Sequence, residues 1–150
     1  MSTFLILLVV FFFSLTFIAY RKIVSYKGKI HFTYTWAALM GGFVWEDVLI
    51  FSIYGGISSI LTLLFRDYRL GILFFLVFWI VRSAGETLYF FLQQFIEPKH
   101  DPHAIDNHFV LLRKVFQTLS YQQCLIIMQI TFQSIMMFSI AGLILLLKFW

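Results

Sequence analysis

The sequence predicts an all-α integral membrane protein with four transmembrane helices, a tight hairpin between helices two and three, and a cytoplasmic amphipathic segment before helix four. Composition is the first ground. Of 150 residues, 61% are hydrophobic, 21% aromatic and only 12% charged. Soluble domains carry roughly 25% charged residues, so this chain lacks the charge to cover a water-facing surface. The same numbers exclude a disordered chain. Cys124 is the only cysteine, which excludes a disulfide scaffold. The second ground is four long apolar stretches, each of them near the ~20 residues that cross ~30 Å of hydrocarbon. The third is how lysine and arginine gather between them.

Span one is expected over 2–20. It is uncharged and stops at Arg21-Lys22. A signal peptide would open on a basic segment and close on a small-x-small cleavage site. Neither is present before Arg21, so the stretch is expected to stay as an anchor. Between spans one and two, His31 to Met40 holds Phe32, Tyr34 and Trp36 without a charge. Such rings favour the headgroup level. This stretch either lies in the interface or extends helix two, with Gly41-Gly42 as a bend.

Span two is expected over 46–65, and its uncharged part, Val48 to Phe65, ends at Arg66-Asp67. Gly55-Gly56 and Ser58-Ser59 put small residues at mid-span, which favours close helix packing. Only Arg66, Asp67, Tyr68 and Arg69 separate it from span three, expected over 70–96. So short a link makes the two helices antiparallel neighbours.

The last loop contains a helix start. Asp101 suits an N-cap and Pro102 the first turn. Ile105, Phe109, Leu112, Phe116 and Leu119 then recur at spacings of four, three, four and three, an amphipathic stripe. This helix either lies on the membrane or bends near Ser120 into span four, expected over 122–147.

Orientation follows from the basic residues. Arg21, Lys22, Lys27, Lys29, Lys99, Arg113 and Lys114 fall on one side, and Arg66, Arg69 and Lys148 on the other. Both termini are therefore expected outside, with loops 21–45 and 97–121 cytoplasmic. The net charge of +4 is an orientation signal. Nothing resembles a basic stripe with stacking aromatics, so no nucleic-acid partner is expected.

Span three carries Arg82 and Glu86 within its apolar length. Ionisable groups inside a bilayer are costly and by default mark a functional site. They stand four residues apart and so share a helix face. At 1.5 Å per residue, Arg82 lies about 18 Å and Glu86 about 24 Å from the outer end. Glu46 and Asp47 lie at about 27–29 Å on span two, and Gln133 at about 21 Å on span four. Gln122, Gln129 and Gln133 fall on one face of that helix. The expected site is thus a polar cluster of Asp47, Arg82, Glu86, Glu46, Gln129 and Gln133, opening toward the cytoplasm. The plainer reading makes Glu46 and Asp47 a helix end at the headgroups, Arg82–Glu86 a self-satisfied pair facing the bundle, and polar residues glue between helices.

The run Glu97 to His103, with Asp106 and His108, contains ExxHxxH. Imidazole and carboxylate suit zinc or iron, and His100, His103, Asp106 and His108 are the candidate ligands. Two prolines interrupt the run and Asp101 already serves as a cap, so a hydrated loop without bound metal or other cofactor is expected. No nucleophile elbow or Ser-x-x-Lys arrangement appears. The functional expectation is a minimal transporter or channel-like subunit for a small ion or polar solute. Four helices enclose little interior, so a homo-oligomer or membership of a larger membrane complex is expected. The alternatives are a non-catalytic accessory subunit and a small membrane enzyme using loop 97–108.

Overall fold

In the absence of water a backbone must satisfy its own hydrogen bonds, and a helix does so within one segment. The computed structural model describes residues 2–26, 44–95, 116 and 118–150. These form four helices, α1 (Ser2–Ser25), α2 (Trp45–Phe65), α3 (Tyr68–Gln93) and α4 (Tyr121–Lys148). All four are long and apolar enough to cross a membrane, and no strand occurs among the described residues. The stretch His31–Met40, the expected bend at Gly41-Gly42, the stripe from Ile105 to Leu112 and the candidate ligands His100, His103, Asp106 and His108 lie outside the described residues.

Helix α1 runs one turn beyond the apolar stretch. Arg21 and Lys22 are good helix formers and keep their heads near aromatic rings, Arg21 5.7 Å from the centre of Phe17 and Lys22 5.8 Å from that of Tyr26. Ser25 ends it by donating its hydroxyl to the Lys22 carbonyl at 2.8 Å.

Two compact units divide the chain, residues 1–75 and 76–150. In the first, α1 and α2 pack antiparallel. Leu15, Ala19, Trp45 and Val48 form its buried core at one end. Further along, Thr16 Oγ1 donates to Ser52 Oγ at 2.9 Å and Ser52 donates onward to the Leu49 carbonyl at 2.9 Å. Thr16 Oγ1 also stands 2.8 Å from the Phe12 carbonyl, so its one proton is shared. Phe12 then fills the space over Gly55. A Cβ there would lie 2.5 Å from the Phe12 ring, so only glycine admits the ring.

The link from α2 to α3 comprises Arg66 and Asp67. Arg66 takes a left-handed conformation (φ 54, ψ 26) that closes α2. Asp67 caps α3, accepting from the Arg69 amide at 2.9 Å through Oδ1. Capping of this kind is why α3 starts at Tyr68, two residues before the apolar run. Still within the first unit, Tyr54 donates its hydroxyl to the Phe74 carbonyl at 2.9 Å. Gly71 brings its backbone against Thr62, whose Oγ1 lies 3.2 Å from the position of a Cβ.

The second unit joins the remainder of α3 to α4. A capping box starts α4: Ser120 Oγ accepts from the Gln123 amide at 3.3 Å, and Gln123 Oε1 accepts from the Ser120 amide at 2.8 Å. Three contacts show an antiparallel pair. Leu76 meets Gly142, Phe90 stacks on Phe132 with ring centres 5.8 Å apart, and Gln94 bonds Gln129.

Candidate functional site

Spacing alone brings the first pair together. Residues four apart on a helix stand on one face, and Arg82 Nη2 lies 2.6 Å from Glu86 Oε1. The two side chains are 24% and 11% exposed. An i,i+4 pair of this kind neutralises itself within one helix. That lowers the cost of holding a guanidinium in an apolar segment, put at about 2.5–3.5 kcal/mol on insertion scales when unpaired.

Two hydroxyls complete the patch. Ser83 is fully buried. Ser83 Oγ and Thr87 Oγ1 are both shielded and make no hydrogen bond among the described residues. Buried polar atoms normally find partners, and leaving one unmet costs about 1–3 kcal/mol. Arg82 and Glu86 thus make one polar row on α3, and Ser83 and Thr87 a second about 100° round the helix; together they are a polar strip two rows wide.

One to two turns further along α3 lies a contact between helices. Gln94 Nε2 donates to Gln129 Oε1 at 2.6 Å and stands 3.3 Å from the Phe90 carbonyl. Gln94 was absent from the expected cluster. The signal for it was present: Ser83, Phe90 and Gln94 recur at spacings of seven and four, and Ser83 and Phe90 are the buried residues of α3. This buried face is rotated about 100° from the Arg82–Glu86 face, and it is the face that meets Phe132 and Gln129 of α4.

Glu46 and Asp47 sit in the first turn of α2, in the first unit. Glu46 is exposed and Asp47 half-buried. Asp47 Oδ2 accepts from the Val44 amide at 3.4 Å, half of a capping box, the other half being chemically closed because valine has no side-chain acceptor. Both carboxylates also face the positive end of the helix dipole. Gln129 belongs to the second unit through Gln94, and Gln133 is exposed on α4.

Among the described residues, no group of three His, Cys, Asp or Glu side chains is placed to hold a metal ion. Loop 97–108, expected to serve a membrane enzyme if the chain is one, lies outside them. Chemically, α3 holds one cation and one carboxylate bonded to each other, with two buried hydroxyls on the adjoining row. No protein-family model, curated protein or solved structure matches the chain.

Proposed function

We propose that the chain is an integral membrane protein with four spanning helices, both termini outside, and α2 and α3 as a tight hairpin whose tip faces outward. On this reading the strip Arg82–Ser83–Glu86–Thr87 takes a small ion or polar solute, as part of a minimal transporter or channel-like subunit. One observation carries the proposal. A charged pair stands beside two buried hydroxyls that lack partners among the described residues, and a hydrated ion or polar solute would supply those partners. Ionisable groups within spans line ion and solute pathways and proton relays.

The experiment is flux into liposomes holding purified protein, followed with entrapped proton-, sodium- and potassium-sensitive dyes. Wild type should exceed protein-free liposomes for at least one ion. Glu86→Gln keeps the volume and an acceptor for the guanidinium but removes the charge, so that flux should fall. Equal flux with and without protein for every ion, and for a panel of small polar solutes, would remove the transport reading.

A second reading, an accessory subunit of a larger membrane complex, has its own support. Arg82 and Glu86 bond each other within one helix, as members of a purely structural pair also do. Copurification of a stoichiometric partner, lost on Glu86→Gln without any flux phenotype, would favour it.

A further inference from the structure

One face of helix α4 is buried, where Cys124, Leu125, Phe132 and Ser139 lie, and most of the rest of its circumference is exposed. With its centre about 140° round the helix from the centre of that face runs a second line, Ile126, Ile130, Gln133, Met137, Ile140 and Ile144, every member exposed. Its spacings are four, three, four, three and four. That is the heptad repeat that lets two helices interlock side chains along a seam. Five members are apolar, which lipid alone would accept. Gln133 is the exception. Its amide makes no hydrogen bond among the described residues, although Thr131 and Ser134 beside it each donate to a carbonyl four residues back, at 2.8 and 2.9 Å. Gln133 lies about 18 Å along the axis from Tyr121 and about 22 Å from Lys148, too deep for its amide to reach headgroups from either end.

We propose that this face of α4 is a self-association seam, and that its occupant is α4 of a second copy of the same chain, with Gln133 bonded to Gln133. The inference rests on the reading of α4 as a membrane span. Copies of one chain share one orientation in a bilayer, so two α4 helices related by a twofold axis along the membrane normal meet in parallel. Identical residues then stand at the same depth. Glutamine is self-complementary, with a carbonyl that accepts and an amide nitrogen that donates. Lipid tails offer neither. One polar residue in an otherwise apolar seam also sets its register, and glutamine is among the side chains that hold transmembrane helices together by hydrogen bonds. No charge interrupts the seam, so no oppositely charged partner is called for.

The test uses the full chain in membranes, with Cys124→Ala to remove the native thiol. Single cysteines at Ile130→Cys and Met137→Cys lie on the seam. Phe138→Cys is the control, since Phe138 is the most exposed of the described large apolar residues at 78% but lies about 100° from Met137 around the helix. Copper-phenanthroline oxidation should give a dimer-sized band for the two seam variants and little for the control. Gln133→Leu should raise the dimer dissociation constant in micelles about three- to twentyfold, and Gln133→Asn should restore most of the loss. Equal crosslinking at Phe138→Cys, no dimer band from the seam positions, an adduct of another mass, or an unchanged dissociation constant in Gln133→Leu would each overturn the proposal. Alkaline carbonate extraction separates the two layers of the argument. Release of the chain would overturn the spanning reading and this proposal with it, whereas retention without seam crosslinks overturns the seam alone.

Discussion

Gln94, one residue past the end of α3, donates its amide to Gln129 of α4 at 2.6 Å, a direct polar side-chain tie between the end of one helix and the other. Beside it, Phe90 stacks on Phe132 with planes 14° apart. A double-mutant cycle of Gln94→Leu and Gln129→Leu should show coupling of about 0.6 kcal/mol and at most about 1.7 kcal/mol. Unfolding in mixed micelles measures it. Strictly additive losses would mean that the bond contributes nothing to the pairing of α3 and α4.

Close packing of α1 on α2 depends on one of two adjacent glycines. A Cβ on Gly55 would lie 2.5 Å from the Phe12 ring, while one on Gly56 would find its nearest neighbour at 3.7 Å. Phe12 packs edge-on against Phe51, with ring centres 5.6 Å apart, so a shift of its ring to admit a Cβ would disturb that contact. Gly55→Ala should therefore cost about 1–3 kcal/mol, the usual range for overpacking. Gly56→Ala should be close to neutral. Thermal unfolding in one detergent, run on both variants, checks the contrast, and equal losses would count against it.

Arg66 is the one described non-glycine residue with positive φ, at 54°. An L side chain in that conformation costs about 1–2 kcal/mol relative to glycine. Glycine is the usual residue where a helix ends this way. Arg66→Gly should thus be more stable than Arg66→Ala by about 1 kcal/mol. Comparing these two neutral variants removes the effect of the lost charge. Alanine equal to or better than glycine would show that the link takes another conformation.

The sidedness argued from lysine and arginine has a direct check. In a Cys124→Ala background, Lys27→Cys and His103→Cys should resist a membrane-impermeant thiol reagent added to intact cells and react after permeabilisation. A cysteine at Arg66 should behave in the opposite way. Labelling of positions 27 and 103 from outside would invert the topology.

The four helices were legible because length and apolar content alone decide them, and because Arg21, Arg66 and Lys148 mark where apolar runs stop. The Arg82–Glu86 pair was legible because it is set by i,i+4 spacing within one helix. The Gln94–Gln129 bond was not. It depends on how α4 is rotated against α3, and in lipid an apolar side chain serves equally on an inner or an outer face. Polarity therefore ceases to mark the buried side, and nothing in the sequence separates Gln94 from its neighbour Gln93. The Phe12–Gly55 contact escaped for a related reason. Small residues at mid-span announce a close approach without naming the ring that fills it. Gln129 and Gln133 share a helix face by spacing, yet Gln129 is held by Gln94 and Gln133 is exposed, because that face lies at the edge of the α3 contact.

The central claim is that the charged strip on α3 handles an ion or solute and does more than hold the fold. Arg82→Met combined with Glu86→Leu tests it most directly. Removing one member of a buried pair strands a charge, but exchanging both for apolar residues of similar volume is often neutral or stabilising. The double variant should therefore keep the wild-type size-exclusion profile and unfolding midpoint. Its flux in liposomes should drop by on the order of tenfold or more, since the ionisable groups that would serve the pathway are gone. A double variant that is fully assembled and transports as fast as wild type would contradict the account.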